Sequence, residues 1–351
     1  MSLKSNAKLL YKALKLKFFG FYYKSKFLKN VEEFESNNLM NNDSIYLNMI
    51  NAFCSSSGKS HSEASKFISK KYPLKDYQAV KNSTIFNLSK FDFEKINQTL
   101  NEKGWYILPE KLDENIIDEL MKLAKETPCK VRQTDDNKVK EHELTLYDAS
   151  NPISILYSLP EESLINNSTI QKLVTDFVFL NICQNYLETE PIWDVTSLWW
   201  STNFSKKSDK NAAQWFHFDM DRIKWLKVFI YLTDVNDNSG PHTFVEGTHR
   251  DEAIPFSLLA KGYNRLSDEE VKNNFNEQNF KEFTAPKGTI IIEDTRGLHK
   301  GKNVTGTHRC LLQFQMSNSL FGANYPKSRL IDLSKLEKID KISNRVLSNY
   351  K

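Results

Sequence analysis

From about Val195 onward the chain is written in short β-prone runs, at 197–200, 228–232, 289–292 and 310–316. Turn signals divide them: Asp237-Asn-Ser-Gly240-Pro241 and Pro286-Lys-Gly288. Many short strands separated by Gly/Pro turns exclude a helical bundle and predict an antiparallel sandwich or jelly roll. The first third reads differently. Residues 1–90 are polar and helical in pattern, with a loop-like serine-rich stretch at 55–65. Helical spacing at 96–100 and 116–124 flanks a short strand at 104–108, which Pro109 ends, and Asp113 is placed to cap the following helix. Leu330, Leu333, Leu336, Ile339 and Ile342 recur every third residue, predicting an amphipathic helix in a tail over 321–351. With 40% hydrophobic residues, the chain can bury a sizeable core.

Within the β-rich part lies His217-Phe218-Asp219. Residues two apart on an extended strand face the same side, so an imidazole and a carboxylate can reach one ion. The pair alone is weak, since a His–Asp hydrogen bond in a sheet would look the same. His299 follows 82 residues later, after the β-branched run Ile290-Ile-Ile-Glu-Asp294. Two histidines and one carboxylate with open positions make the facial triad of non-haem Fe(II) oxygenases. Ten residues further, Arg309 opens the last strand. Its planar fork suits a carboxylate. Alternation puts Arg309, Leu311 and Gln313 on one face and His308, Cys310 and Leu312 on the other.

Three ordered blocks then resemble the phytanoyl-CoA dioxygenase family of Fe(II)/2-oxoglutarate oxygenases, over about residues 91–316. They are Gln214-Trp-Phe-His217-Phe-Asp219; Lys227–Val235 with Asn238-Ser-Gly-Pro-His-Thr-Phe-Val-Glu-Gly-Thr-His249; and Asp294-Thr-Arg-Gly-Leu-His299 through Arg309. The resemblance implies a double-stranded β-helix core over 91–320, braced by helices and preceded by the helical region 1–90. It implies that His217, Asp219 and His299 hold Fe(II), that Arg309 takes the distal carboxylate of 2-oxoglutarate, and that Asn203 contacts the cosubstrate. It further implies an O2-consuming hydroxylase that releases succinate and CO2. Its substrate would be a small molecule or a lipid- or saccharide-linked intermediate. Asp219 fills the place that related halogenases leave for chloride, which favours hydroxylation. Glu246 stands where the family usually has proline. Two other readings remain: a cupin-like metal isomerase or oxygenase without 2-oxoglutarate, for which Arg309 has no use, and a non-catalytic jelly-roll binding protein. Of the other polar residues, Asp221 reads as a solvated loop carboxylate, His249 as a loop brace and His242 as a turn-exposed histidine. Trp199, Trp200, Trp215 and Trp225 read as core or pocket wall.

Charge is unevenly placed. Residues 1–30 carry eight lysines and no acid, so with +4 overall the rest of the chain sums to −4. The overall balance does not suggest nucleic acid. In this segment Leu3, Ala7, Leu10, Tyr11, Leu14, Phe18 and Phe21 recur at helical spacing, with Lys4, Lys8, Lys12 and Lys15 beside them. Such a helix either lies peripherally on an anionic membrane surface or docks on its own domain with a lysine-rich outer face. Lysines interrupt any signal-peptide core. Four cysteines without a CxxC pair exclude a zinc ribbon and suit a reducing, cytoplasmic compartment.

Overall fold

The computed structural model describes residues 3–77, 83–132, 144–209, 212–326, 328–329 and 344–350. Three helices come first: α1 (Leu3–Glu35), α2 (Asp43–Ser56) and α3 (Lys59–Lys71). Next are α4 (Phe93–Lys103), β1 (Trp105–Ile107), α5 (Glu114–Glu126), β2 (Cys129–Val131), β3 (Leu144–Thr145) and β4 (Leu156–Ser158). Helices α6 (Glu161–Ile165), α7 (Ser168–Val174) and α8 (Phe177–Leu187) lead into β5 (Ile192–Ser201), β6 (Trp225–Tyr231) and β7 (His242–Val245). Two short helices, α9 (Phe256–Leu259) and α10 (Asp268–Lys272), precede β8 (Phe280–Phe283), β9 (Ile290–Glu293), β10 (His299–Gly301) and β11 (Arg309–Ser317).

Every strand pair is antiparallel. One sheet runs β1-β9-β6-β11-β5-β4-β2-β3 and the other β10-β7-β8. The 216–219 segment extends the smaller sheet, because His217 and His299 exchange both main-chain hydrogen bonds, at 3.0 and 2.8 Å. From β5 onward the chain therefore crosses back and forth between sheets, with β7 and β8 alone following each other in one. β5, β6, β9 and β11 lie in the large one; 216–219, β7, β8 and β10 lie in the small one. That interleaving is a double-stranded β-helix, one of the jelly-roll architectures.

Alternation along β11 sorts its side chains. Cys310, Leu312, Phe314 and Met316 enter the apolar layer shared with α4, α5, α7 and α8, while Leu311 joins Phe229, Phe244, Phe283 and Ile291 between the sheets. A buried side chain of this size contributes about 1.5–3 kcal/mol, so the helix-backed layer holds the large sheet in place. Asp113 caps α5 as its position predicts, accepting from the Asn115 amide. The segment 344–350 docks on β5: Trp193 donates to the Val346 carbonyl at 2.8 Å, and the Trp193 and Tyr350 rings lie 4.8 Å apart. The repeat at 330–342 lies outside the described residues.

Two expectations for the N-terminal region change. The serine-rich stretch is helical apart from a left-handed turn at Ser57 and Gly58, and Ser56 and Ser60 hydroxyls bond each other at 3.0 Å. Helix α1 forms as predicted but docks through the face opposite to the predicted one. Leu16, Phe27 and Val31 are buried, whereas Leu10, Tyr11, Leu14, Phe18 and Phe21 are exposed. The buried face meets α2, α3 and the back of the small sheet. Phe27 stacks on His61 at 4.7 Å, and Phe53 stacks on Phe218 at 5.5 Å. Among the described residues, no helix is long and apolar enough to cross a membrane.

Candidate metal centre

His217 and Asp219 point to one side of their segment. Phe216, Phe218 and Met220 point to the other, into the N-terminal helices, where each is at most 1% exposed. The apolar side fixes which way the polar side faces. The bridge to His299 then sets the third group opposite, and a hydrogen bond from the Asp219 amide to Thr295 O (2.8 Å) extends the pairing. His217 Nε2 lies 3.5 Å from Asp219 Oδ1, and His299 Nε2 lies 3.5 Å from Asp219 Oδ2. One donor atom from each residue falls within 4.8 Å of the others, and all three residues are buried. They form a group that could hold a metal ion.

The histidines are prepared for that role. Nδ1 of His217 lies 2.9 Å from the Trp215 carbonyl, and Nδ1 of His299 lies 2.9 Å from the Gly297 carbonyl. A carbonyl only accepts, so each Nδ1 carries the proton and each Nε2 lone pair faces the centre. Burial pushes both imidazole pKa values down, and for His217 the neighbouring His299 adds to this. Both are thus neutral, as ligands must be. Burial disfavours the charge on Asp219, but the Lys227 ammonium outweighs it and holds the carboxyl below its usual range. Lys227 Nζ sits 2.6 Å from Asp219 Oδ2 and 3.2 Å from Asp221 Oδ2. Asp221 is therefore no solvated loop carboxylate: it is buried, and it also accepts from Tyr325 Oη at 2.6 Å.

The group opens into a cavity of about 300 Å3, at the small end of ligand sites. Trp199, Phe229, His242 and Gln313 form part of its wall, with Arg309 and Ser201. Arg309 Nη2 lies 3.4 Å from Ser201 Oγ, and Nη1 donates to the Gly240 carbonyl. Gly240 takes φ of +67°, and a Cβ there would lie 2.5 Å from Lys302 O, so this turn requires glycine. Nε of Arg309 is buried without a partner, and no carboxylate among the described residues pairs with the guanidinium. Burial lowers its pKa accordingly. A buried cation without an acid is costly unless an anion arrives.

The other sequence candidates fall as follows. His308 faces away, between Tyr147 Oη at 2.7 Å and Asn203 Oδ1 at 2.8 Å. Asn203 is exposed and also donates to the Gly306 carbonyl, so it lies outside the cavity. β5 ends at Ser201, and Ser201 is the residue beside Arg309. His249 braces its loop against Asn101 O at 3.2 Å. His242 is not turn-exposed: it begins β7 and faces the cavity, 2.9 Å from Glu293 Oε1. Burial drives His242 down to about 3 and Glu293 up to about 8, so at neutral pH this is a hydrogen bond between uncharged groups rather than an ion pair. Trp199 lines the cavity, while Trp200 and Trp225 are core. Lys227 is the residue that sequence reading passed over. A lysine inside the apolar run Trp225-Leu-Lys-Val-Phe-Ile-Tyr231 was its signal.

No known family profile matches the sequence, and no curated protein matches it. Several solved structures resemble the fold. EctD from S. alaskensis with bound Fe is 17% identical, with TM-score 0.48, covering 73% of this chain and 88% of its own. HygX from Streptomyces hygroscopicus with nickel, 2-oxoglutarate and hygromycin B bound is 13% identical, with TM-score 0.45, covering 68% and 93%. The non-heme alpha ketoglutarate dependent epimerase SnoN from nogalamycin biosynthesis is 14% identical, with TM-score 0.42, covering 64% and 82%. Fold and site define this chain as a double-stranded β-helix protein with a buried His-Asp-His group open to a small cavity.

Proposed function

We propose that the protein is an Fe(II)- and 2-oxoglutarate-dependent oxygenase that hydroxylates a small molecule. The observation that carries this reading is the pairing, in one cavity, of the His217–Asp219–His299 group with an Arg309 that has no acid. The donor set suits Fe(II): two imidazole nitrogens with free lone pairs and one charged carboxylate oxygen. When bound, iron with 2-oxoglutarate and O2 supplies the oxidising power for a substrate C–H bond. The chain's own residues do the rest. Arg309 takes the distal carboxylate with its fork, and Ser201 stands beside it to complete the polar end. Trp199 and Phe229 wall the cavity and exclude water. Lys227 keeps Asp219 ionised before any metal arrives.

Substrate chemistry follows from the walls. Of the five cations that line the cavity, Arg132 pairs with Asp209, Lys227 with Asp219 and Asp221, and Lys302 with Glu282, which leaves Arg265 and Arg309 without an acid among the described residues. One anion is the cosubstrate. Arg265, the other cation of the wall without an acid, favours a substrate that itself carries a carboxylate or phosphate. Anaerobic titration with Fe(II) and then 2-oxoglutarate tests the reading, through the visible charge-transfer band of a chelated keto acid. The wild type should give the band, Arg309→Ala should need far more 2-oxoglutarate, and His299→Ala should give none. Iron binding without a band would remove 2-oxoglutarate from the account. Absence of iron binding would leave a ligand-binding jelly roll.

A further inference from the structure

Helix α1 has two apolar faces. Leu16, Gly20, Tyr23, Phe27, Val31 and Phe34 are spaced by three or four residues and make the docked face. It is fitted closely: a Cβ on Gly20 would sit 3.4 Å from Ser55 Cβ, and Asn48 donates to the Tyr23 carbonyl at 3.1 Å. The second face, Leu10, Leu14, Phe18 and Phe21 with Tyr11 and Tyr22 alongside, is spaced the same way and points to solvent. Phe18 and Phe21 are each 84% exposed. Single exposed apolar residues need no explanation, but a contiguous stripe over three turns does.

Charge identifies what covers the stripe. The same thirty residues hold eight lysines and no acid. Two copies of α1 packed stripe to stripe would bring like charges together, whereas an anionic lipid surface complements them. Some lysines serve the domain: Lys12 donates to Lys261 O, and Lys24 pairs with Glu63 at 2.5 Å. Lys15 and Lys26 flank the stripe and are exposed, Lys26 lying over the Tyr22 ring at 5.8 Å. Aromatic rings between lysine stems match the acyl–headgroup boundary. The helix is too polar to cross a bilayer.

We infer that α1 is a fixed membrane-surface anchor. Its Leu10–Leu14–Phe18–Phe21 stripe enters the interface of an anionic bilayer, while its opposite face clamps the helix to the β-helix core. The helix is already folded and docked, so binding orders nothing new, and the domain is held against the lipid as a rigid body.

The test uses the full-length protein with vesicles of phosphatidylglycerol and phosphatidylcholine, or of phosphatidylcholine alone. The wild type should sediment with the anionic vesicles at low salt and much less at about 0.5 M salt, where exposed charges are screened. The F18E/F21E double variant should bind at least tenfold more weakly with unchanged thermal stability, since both side chains stand in solvent. The proposal is overturned if the wild type stays in solution with anionic vesicles, or if the double variant sediments equally. It is also overturned if sedimentation velocity without vesicles shows a dimer that the double variant dissolves, because the stripe would then be a homotypic interface.

Discussion

Lys227 poses an energetic question at the scale of single residues. It sits 2.6 Å from a candidate ligand oxygen, so it competes with a metal ion for the charge on Asp219 while also orienting that carboxylate. Loss of an orienting partner costs roughly 10–100-fold in metal affinity, about 1.4–2.7 kcal/mol. An unpaired buried carboxylate costs about 3–5 kcal/mol, which a bound cation would relieve. The second effect is larger. Lys227→Met should therefore destabilise the metal-free protein and gain more stability from Fe(II) than the wild type does, as read from urea unfolding with and without metal. A variant that gains less would show that orientation dominates. Arg309 reaches its cavity by alternation, which was visible in the sequence. Lys227 reaches Asp219 through a contact between the large sheet and the segment that extends the small one, and no local pattern encodes that.

Elements explain which parts of the sequence were legible. The strands were, because β6, β9 and β11 are buried on both faces and so read as near-continuous apolar runs rich in β-branched and aromatic residues. The orientation of α1 was not. Its sequence carries two apolar stripes, and the choice between them is made by His61 and Phe321, which pack on Phe27 and lie elsewhere in the chain. The pairing with His61 gives a pH dependence. This histidine is fully buried, and desolvation lowers it to about 3, with Arg296 contributing. A base depressed in the folded state contributes stability that is present above its unfolded value near 6.5. That stability is lost as pH falls toward 3, by up to about 1.4 kcal/mol per unit. Acid should thus loosen the docking of α1 and α3, seen as lower amide protection factors around Phe27 below pH 6, once the intrinsic slowing of exchange in acid is divided out. His61→Leu should flatten that limb. Unchanged protection factors in the wild type between pH 7 and 4 would contradict the assignment.

For the whole molecule, the apolar cluster between the two sheets is interrupted by a polar cavity lined by His242, Arg309 and the three candidate ligands. Ligands that bind only the folded form should therefore raise its stability by mass action, about 2.7 kcal/mol at a hundredfold excess over Kd. Fe(II) with 2-oxoglutarate should raise the wild-type Tm by more than Fe(II) alone. In Arg309→Ala the increment from 2-oxoglutarate should vanish while that from iron stays. Equal increments in both proteins would remove Arg309 from cosubstrate binding.

The bridge between His217 and His299 spans 82 residues of chain and the whole of β6 to β9. Contacts so distant in sequence form late, after most of the loop entropy has been overcome. During synthesis the first histidine and the aspartate leave the ribosome long before the second histidine is made. A nascent chain thus holds no complete trap for a metal ion until His299 emerges, and by then the helices that back both sheets have already been made.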